Sequence, residues 1–273
     1  MVRCFSITYQ EVIVTMSETK SEAPSIQLIA HRGYSGRYPE NTLLAYEAAV
    51  QHGAQCFELD LQMSNDGVPF LHHDETLMRM AGLDQDFRDT DAKTIKSLRA
   101  SYPSRFGDAF SDNKFTTFKK FCKWLALDNQ LLTFVEIKQE SIDRWGIPAF
   151  VDAALSRINA AGVEKQCVII SFNENVIEYT RKVSDVRCGW VLPAWSDTEH
   201  KIARALNPDF LFCDTDSFPD SNEDVWSGPW QWTLYNLDDV ASAAAYIERG
   251  FYSLETNEIG LLMSSELMRS KRS

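Results

Sequence analysis

Two acidic side chains, Glu58 and Asp60, stand two residues apart in the segment CFELDLQ. On a strand that spacing turns both carboxylates to one face and Phe57, Leu59 and Leu61 to the other. A third carboxylate, Glu136 in TFVEIK, is expected at similar depth on a neighbouring strand. Three converging carboxylates repel one another and lose hydration on burial unless something compensates. A divalent cation does so, and a carboxylate donor set without cysteine suits a hard ion, Mg²⁺ first and Ca²⁺ second. Arg32 and Lys138 add positive charge beside such an ion, an arrangement that grips a phosphate group. His31 and His73 leave different strand ends and can flank that phosphate as base and acid, because imidazole titrates near neutrality. The chemistry this set suits is metal-assisted cleavage of a phosphodiester.

Each of these residues also has an ordinary structural reading. His31, following the apolar run IQLIA, fits a satisfied buried histidine, and Glu136 with Lys138 fits a surface ion pair. Lys138 also fits a Schiff-base lysine of the kind barrel aldolases use, but the carboxylates around it favour a metal site over an apolar, amine-activating pocket. The joint occurrence of His31, Arg32, the Glu58/Asp60 pair and His73 favours catalysis over packing. His52, His72 and His200 read as structural, and Trp190, Trp230 and Trp232 read first as packing aromatics.

The elements that must position these groups follow from periodicity. Strand-like apolar runs at 26–30, 56–62, 133–138, 167–172, 187–192, 209–214, 230–235 and 251–255 alternate with helix-length amphipathic segments. Such alternation predicts a (β/α)₈ TIM barrel, whose active-site mouth lies at the C-terminal ends of the strands. His31, Arg32, Glu58, Asp60, Glu136 and Lys138 occupy such ends, His73 and Asp74 end a short follow-on strand, and Asp214, Asn236 and Glu255 close the later ones. PENT at 39–42 is expected to turn the chain into its first helix, with Asn41 or Thr42 as the cap and Glu40 orienting a neighbouring group. The polar stretch of about 75–114 is too long for an ordinary loop and is expected to be a small inserted subdomain over the mouth, after the second strand.

Bulk properties set outer limits. The net charge of −12 disfavours attraction to nucleic acid or to an anionic membrane surface, so an anionic substrate must be met by local cations. No apolar run approaches the roughly 20 residues of a spanning helix. The six cysteines form no CxxC pair and several sit in apolar runs, which reads as reduced thiols in a cytoplasmic protein. Residues 1–25 read as a polar, flexible leader before a barrel at 26–273, and Met16 serves equally well as a start.

The motifs HRG (31–33), PENT (39–42), ELD (58–60), DG (66–67), HHD (72–74) with LMR (77–79), and EIK (136–138), in this order and spacing, resemble the glycerophosphodiester phosphodiesterase family. The resemblance implies His31 and His73 as the acid/base pair, Glu58, Asp60 and Glu136 as metal ligands, and Arg32 and Lys138 on the phosphate. It also implies glycerophosphodiesters as substrates, cleaved to sn-glycerol 3-phosphate and an alcohol. In the mechanism it implies, the neighbouring glycerol hydroxyl attacks phosphorus and water then opens a cyclic phosphate. WTLYN is similar to a W-T-x-N segment of the family, which implies Trp232 on the glycerol side of the pocket. ETNEIG at 255–260 departs from the family's T-D-x-P or T-N-x-P by lacking the proline, so the last loop is expected to differ in shape. Two rivals share these motifs: a lysophospholipase D-type enzyme of the same superfamily, which needs an apolar groove at the mouth, and a non-catalytic glycerol-phosphate binding protein.

Overall fold

Strands form where apolar residues recur with period two, and the alternating runs of this chain do so in register. The computed structural model describes residues 25–218 and 225–266. The runs become β1 (Gln27–Ala30), β2 (Cys56–Met63), β3 (Pro69–Leu71), β4 (Leu132–Ile137), β5 (Cys167–Ser171), β6 (Arg187–Val191), β7 (Phe210–Asp214), β8 (Gln231–Tyr235) and β9 (Ser253–Thr256). The order is β1-β9-β8-β7-β6-β5-β4-β2, parallel throughout, and β1 pairs with β2 to close the ring. The fold is therefore the (β/α)₈ barrel that the alternation predicts. β3 is the follow-on strand, antiparallel to β2 with Leu61 opposite Leu71, and it ends before His72 and His73.

Closure divides the side chains by parity. Ile29, Cys56, Phe134, Val168, Ile170, Val191, Phe210 and Phe212 form a compact cluster inside the barrel, where Phe134 meets both Phe210 and Phe212 edge-on at 5.0 Å. The alternate residues, among them Leu59, Leu61, Val135, Leu211 and Leu234, pack outward against the helices. Helices Leu43–Gln51, Phe118–Leu125, Glu174–Val183, Asp197–Leu206 and Val240–Glu248 start at Thr42, Thr117, Asn173, Ser196 and Asp239, whose side chains each accept a backbone N–H of the first turn. Helices Ile147–Ala161 and Ile259–Ser264 complete the layer. A further helix, Gln139–Trp145, follows β4 directly. Its sequence QESIDRW carries too little apolar periodicity to be read as a helix.

The segment after β3 builds its own small layer from helices Met78–Ala81, Ala92–Ser97 and Pro103–Phe106. Leu77, Met80, Phe87, Ala92, Ile95 and Ala100 pack there on Phe70 and Phe115, separate from the main core. The five described cysteines are buried and unpaired, and Cys4 lies outside the described residues together with almost all of the expected leader. Among the described residues, no helix is long and apolar enough to cross a membrane.

Candidate active site

β1 delivers His31 and Arg32 to the mouth. The chain is tied there by the His31 N–H on the Thr256 carbonyl (3.0 Å) and the Arg32 N–H on the Glu58 carbonyl (3.1 Å). β2 and β4 pair with Asp60 opposite Glu136, so those carboxylates share the interior face with Glu58 one repeat deeper. Glu58 and Asp60 are buried, and Glu255 on β9 joins them from the other side of β1. The His31 Nε2 stands 3.8 Å from Glu58 Oε2 and 3.6 Å from Glu255 Oε1.

Cations thread this acidic cluster. Arg32 Nε lies 2.8 Å from Asp60 Oδ2 and its Nη1 donates to Glu40 Oε1 at 3.0 Å. Lys138 Nζ sits 3.0 Å from Glu136 and 3.6 Å from Asp60. Arg79 grips Glu40 and Asp74 through paired donors, and Asp74 Oδ1 in turn meets His73 Nδ1 at 2.9 Å. Arg79 thus braces both the arginine and the histidine of the mouth. Asn41 takes a left-handed backbone with φ 56°, donates to Asp60 Oδ2 at 2.8 Å and accepts the Asp60 N–H at 3.2 Å. Thr42 is consequently the helix cap, and Asn41 belongs to the site.

The electrostatic balance remains acidic. Burial first, then Asp60 and Glu255, push Glu58 well above the usual carboxylate range. Glu255 is pushed up to about 8 by burial, with Glu136 and Asp60 adding to it and Arg32 opposing. Glu136 is raised by burial in spite of Lys138. Asp60 goes the other way: burial opposes its ionisation, but Arg32, His73 and Lys138 hold it well below the usual range. His31 is pushed down to about 4, by burial first and Arg32 second, so its ring is uncharged at neutral pH.

Three acids held above their ordinary range form a surplus that a cation relieves. Glu58 Oε1, Asp60 Oδ1 and Glu255 Oε2 are buried and accept no hydrogen bond among the described residues. Donor atoms of Glu58, Asp60 and Glu136 lie within 4.8 Å of one another, as do those of His31, Glu58 and Glu255. Oxygens on opposite sides of a hard cation stand about 4–5 Å apart. Both triads fit a divalent ion, and they share Glu58.

The site opens into a cavity of about 250 Å³. β9, β1, β2 and β4 line it with charge, whereas β5 to β8 and the residues just after them line it with Ile170, Phe172, Val191, Phe212 and Tyr235, together with the polar Asp214 and Asn236. A larger cavity of about 550 Å³ lies at the opposite end of the barrel, among Gln27, Gln55, Gln130 and Gln231. It offers no ionisable group besides the buried Cys56 thiol, which burial pushes well above the usual thiol range, in the direction of inertness.

His31, Arg32, Glu58, His73, Glu136 and Lys138 all line the mouth cavity, with Asp60 buried beneath. Trp232 does not reach it, which corrects the placement on the glycerol side. The alternation of β8 turns Trp232 outward, where its Nε1 donates to the Trp226 carbonyl and its ring packs on Trp195 and Phe218. Tyr235 is the β8 aromatic at the mouth. His72 is buried, its Nε2 3.1 Å from the Thr76 carbonyl oxygen and its ring stacked on Phe87, in keeping with its structural reading. Glu255, Asn41, Arg79 and Asn257 join the network beyond the set read from sequence. Glu255 had a signal in its place at the end of the last strand, but Asn41 and Asn257 reach the site through loop geometry and Arg79 from the short helix Met78–Ala81.

Fold and site together define a (β/α)₈ barrel with an acidic, cation-threaded cluster at its catalytic end. A profile of the glycerophosphoryl diester phosphodiesterase family matches residues 31–222, and the chain belongs to that family. It is 30% identical over 188 residues to a glycerophosphodiester phosphodiesterase of Caldanaerobacter subterraneus, covering 66% of this chain and 74% of that one. It is 34% identical over 149 residues to the Bacillus subtilis protein YqiK, covering 55% of this chain and 59% of the relative. The match thus spans less than two-thirds of YqiK. Among solved structures, an Oleispira antarctica phosphodiesterase in complex with the product sn-glycerol-3-phosphate superposes with a TM-score of 0.75 at 20% identity, over 87% of this chain and 95% of that one. That likeness is one of fold.

Proposed function

We propose that the protein hydrolyses small glycerophosphodiesters to sn-glycerol 3-phosphate and an alcohol. His31 and His73 are its proton-transfer pair, Arg32 and Lys138 hold the phosphate, and Glu58, Asp60 and Glu136 hold a divalent cation, Mg²⁺ before Ca²⁺. The observation that carries the reading is one small cavity lined by two imidazoles, two cationic side chains and the carboxylates Glu58 and Glu136, with Asp60 beneath completing an acid triad within reach of a single ion. Family membership and the product-bound Oleispira relative point to the same substrate class.

His31 Nε2 carries no hydrogen bond to its carboxylate neighbours at 3.6 and 3.8 Å and is free to take a proton from the attacking glycerol hydroxyl. His73 is held at Nδ1 by Asp74, a partner suited to a ring that hands its proton to the departing alkoxide. Water then opens the cyclic phosphate with the two roles exchanged. Arg32 and Lys138 meet the phosphate oxygens, and a bound cation supplies Lewis-acid stabilisation of the charge that builds there. The segment of about 75–114 is proposed as an inserted subdomain that braces the mouth through Arg79, and the buried free thiols favour a cytoplasmic setting.

A second reading rests on the apolar wall, where Phe172 is 41% exposed at the rim. A lysophospholipase D-type substrate lays its acyl chain there. The cavity, at about 250 Å³, is below the usual range of about 300–1,000 Å³ for drug-sized ligands and favours the compact diester. Release of glycerol 3-phosphate from glycerophosphocholine, followed by a coupled assay, tests the proposal. Turnover is expected with Mg²⁺, lost in EDTA and restored by added metal. His31→Ala and His73→Ala are each expected to lower kcat by roughly 10²–10⁴ at an unchanged melting temperature. Chelator-resistant turnover, near-normal activity of either variant, or faster cleavage of lysophosphatidylcholine overturns the corresponding part.

A further inference from the structure

The loop after β9 reaches back to the imidazole at the end of β1. Asn257 Oδ1 lies 2.9 Å from His31 Nδ1 and accepts the Ser35 hydroxyl at 2.7 Å. The other end of the same amide donates from Nδ2 to Asp238 Oδ2 at 2.9 Å, while the Asn257 backbone N–H donates to Asp238 Oδ1 at 2.7 Å. Thr256 Oγ1 also donates to Asp238 Oδ1, at 3.1 Å.

These contacts settle which way the amide faces. A carboxylate accepts only, so the Asn257 end against Asp238 must be the NH₂ group, and a flipped amide sets oxygen against oxygen. The end facing His31 is therefore the carbonyl oxygen, which needs a donor. Neutral imidazole has one donor nitrogen, and here it must be Nδ1.

We infer that Asn257, anchored by Asp238, is a positioning residue that fixes His31 in the Nδ1–H tautomer and leaves the Nε2 lone pair facing the acidic cluster. That Nδ1 carries the proton stands on the geometry of the loop alone, and in the neutral ring this leaves Nε2 bare; the consequence for turnover rests on the proposed role of His31 as the base. The segment continues into helix Ile259–Ser264, with Asn257 held at both ends of its amide and by its own carbonyl on the Gly36 N–H at 2.8 Å. The two histidines then match, each gripped at Nδ1 by an oxygen acceptor, Asn257 for His31 and Asp74 for His73.

The test is ¹⁵N–¹H correlation spectroscopy of the imidazole rings in the full chain at pH 7.5 with Mg²⁺ added, His31 being assigned by its loss in His31→Ala. The expected wild-type pattern has the proton on Nδ1; a proton on Nε2 overturns the inference whatever the behaviour of any variant. Asn257→Ala is expected to lose the single tautomer and to lower kcat roughly tenfold to a hundredfold, with a smaller change in KM. The exchange Asn257→Asp with Asp238→Asn, which swaps acceptor and amide across the same contact, is expected to restore both. Retention of the Nδ1–H tautomer and of kcat in Asn257→Ala refutes the positioning role. If the spectra follow expectation while His31→Ala keeps its turnover, it is the base assignment that fails and not the tautomer.

Discussion

Trp232 and Tyr235 lie on one strand, and only the second faces the chemistry. Three positions along a strand reverse the side-chain direction, and in a barrel that decides between lumen and helix layer. Trp232 packs against Trp195, Phe218 and Trp226 outside the barrel in tilted and edge-on contacts, so its worth is packing. Trp232→Leu is expected to destabilise the protein by about 1–3 kcal/mol in urea unfolding, with KM unchanged within twofold. A raised KM with unchanged stability contradicts that placement. The acid cluster was legible residue by residue because Glu58 and Asp60 share a strand face by spacing alone. Arg79 and Asn41 were not legible as site residues, since each reaches a distant partner, Glu40 or Asp60, through a fold in the chain.

At the scale of elements, the turn after β1 places more of the site than any single strand does. Arg32, Gly33 and Asn41 all take left-handed backbone, with φ of 55°, 81° and 56°. The Asn41 N–H donates to the Arg32 carbonyl at 3.0 Å and fastens the two ends of the turn together. At Gly33 a Cβ meets the Ala45 carbonyl carbon at 2.7 Å, so helix Leu43–Gln51 approaches as closely as a bare backbone allows. Gly33→Ala combines that clash with an unfavourable φ and is expected to cost about 2–4 kcal/mol, read as a lowered melting temperature. An unchanged midpoint removes the close approach from the account. The motif HRGYSGRYPENT marked a turn by its glycines and proline, but the helix that makes Gly33 obligatory is contacted only in three dimensions.

For the whole molecule, buried histidine couples stability to pH. His72 is pushed down to about 4, by burial first, against Asp74 and the Thr76 carbonyl, which raise it. In the unfolded chain it titrates near 6.5, so between about pH 6.5 and 4 the unfolded state binds the extra proton. The stability it contributes is complete above that window and is lost as pH falls through it, on the order of 3 kcal/mol. Glu58 and Glu255, with raised folded values, slope the opposite way. The comparison with His72→Phe therefore isolates the imidazole: the loss of urea stability between pH 7 and pH 5 is expected to be smaller in the variant. An equal loss in both shows that His72 is already uncharged in the unfolded state or solvated in the native one.

The amino-acid sequence by itself determined the strands, their order along the barrel and the acid, imidazole and cation set at their ends. Those depend on local periodicity and on residue type, which are properties of the chain read one turn at a time. Tertiary structure alone decided that Glu255 stands beside His31, that Arg79 bridges Glu40 and Asp74, that Asn257 holds an imidazole some two hundred residues away, and that Trp232 faces out. Each of these turns on the closure of β9 against β1 or on the path of a loop, where partners far apart in sequence are selected by distance, burial and the donors left over.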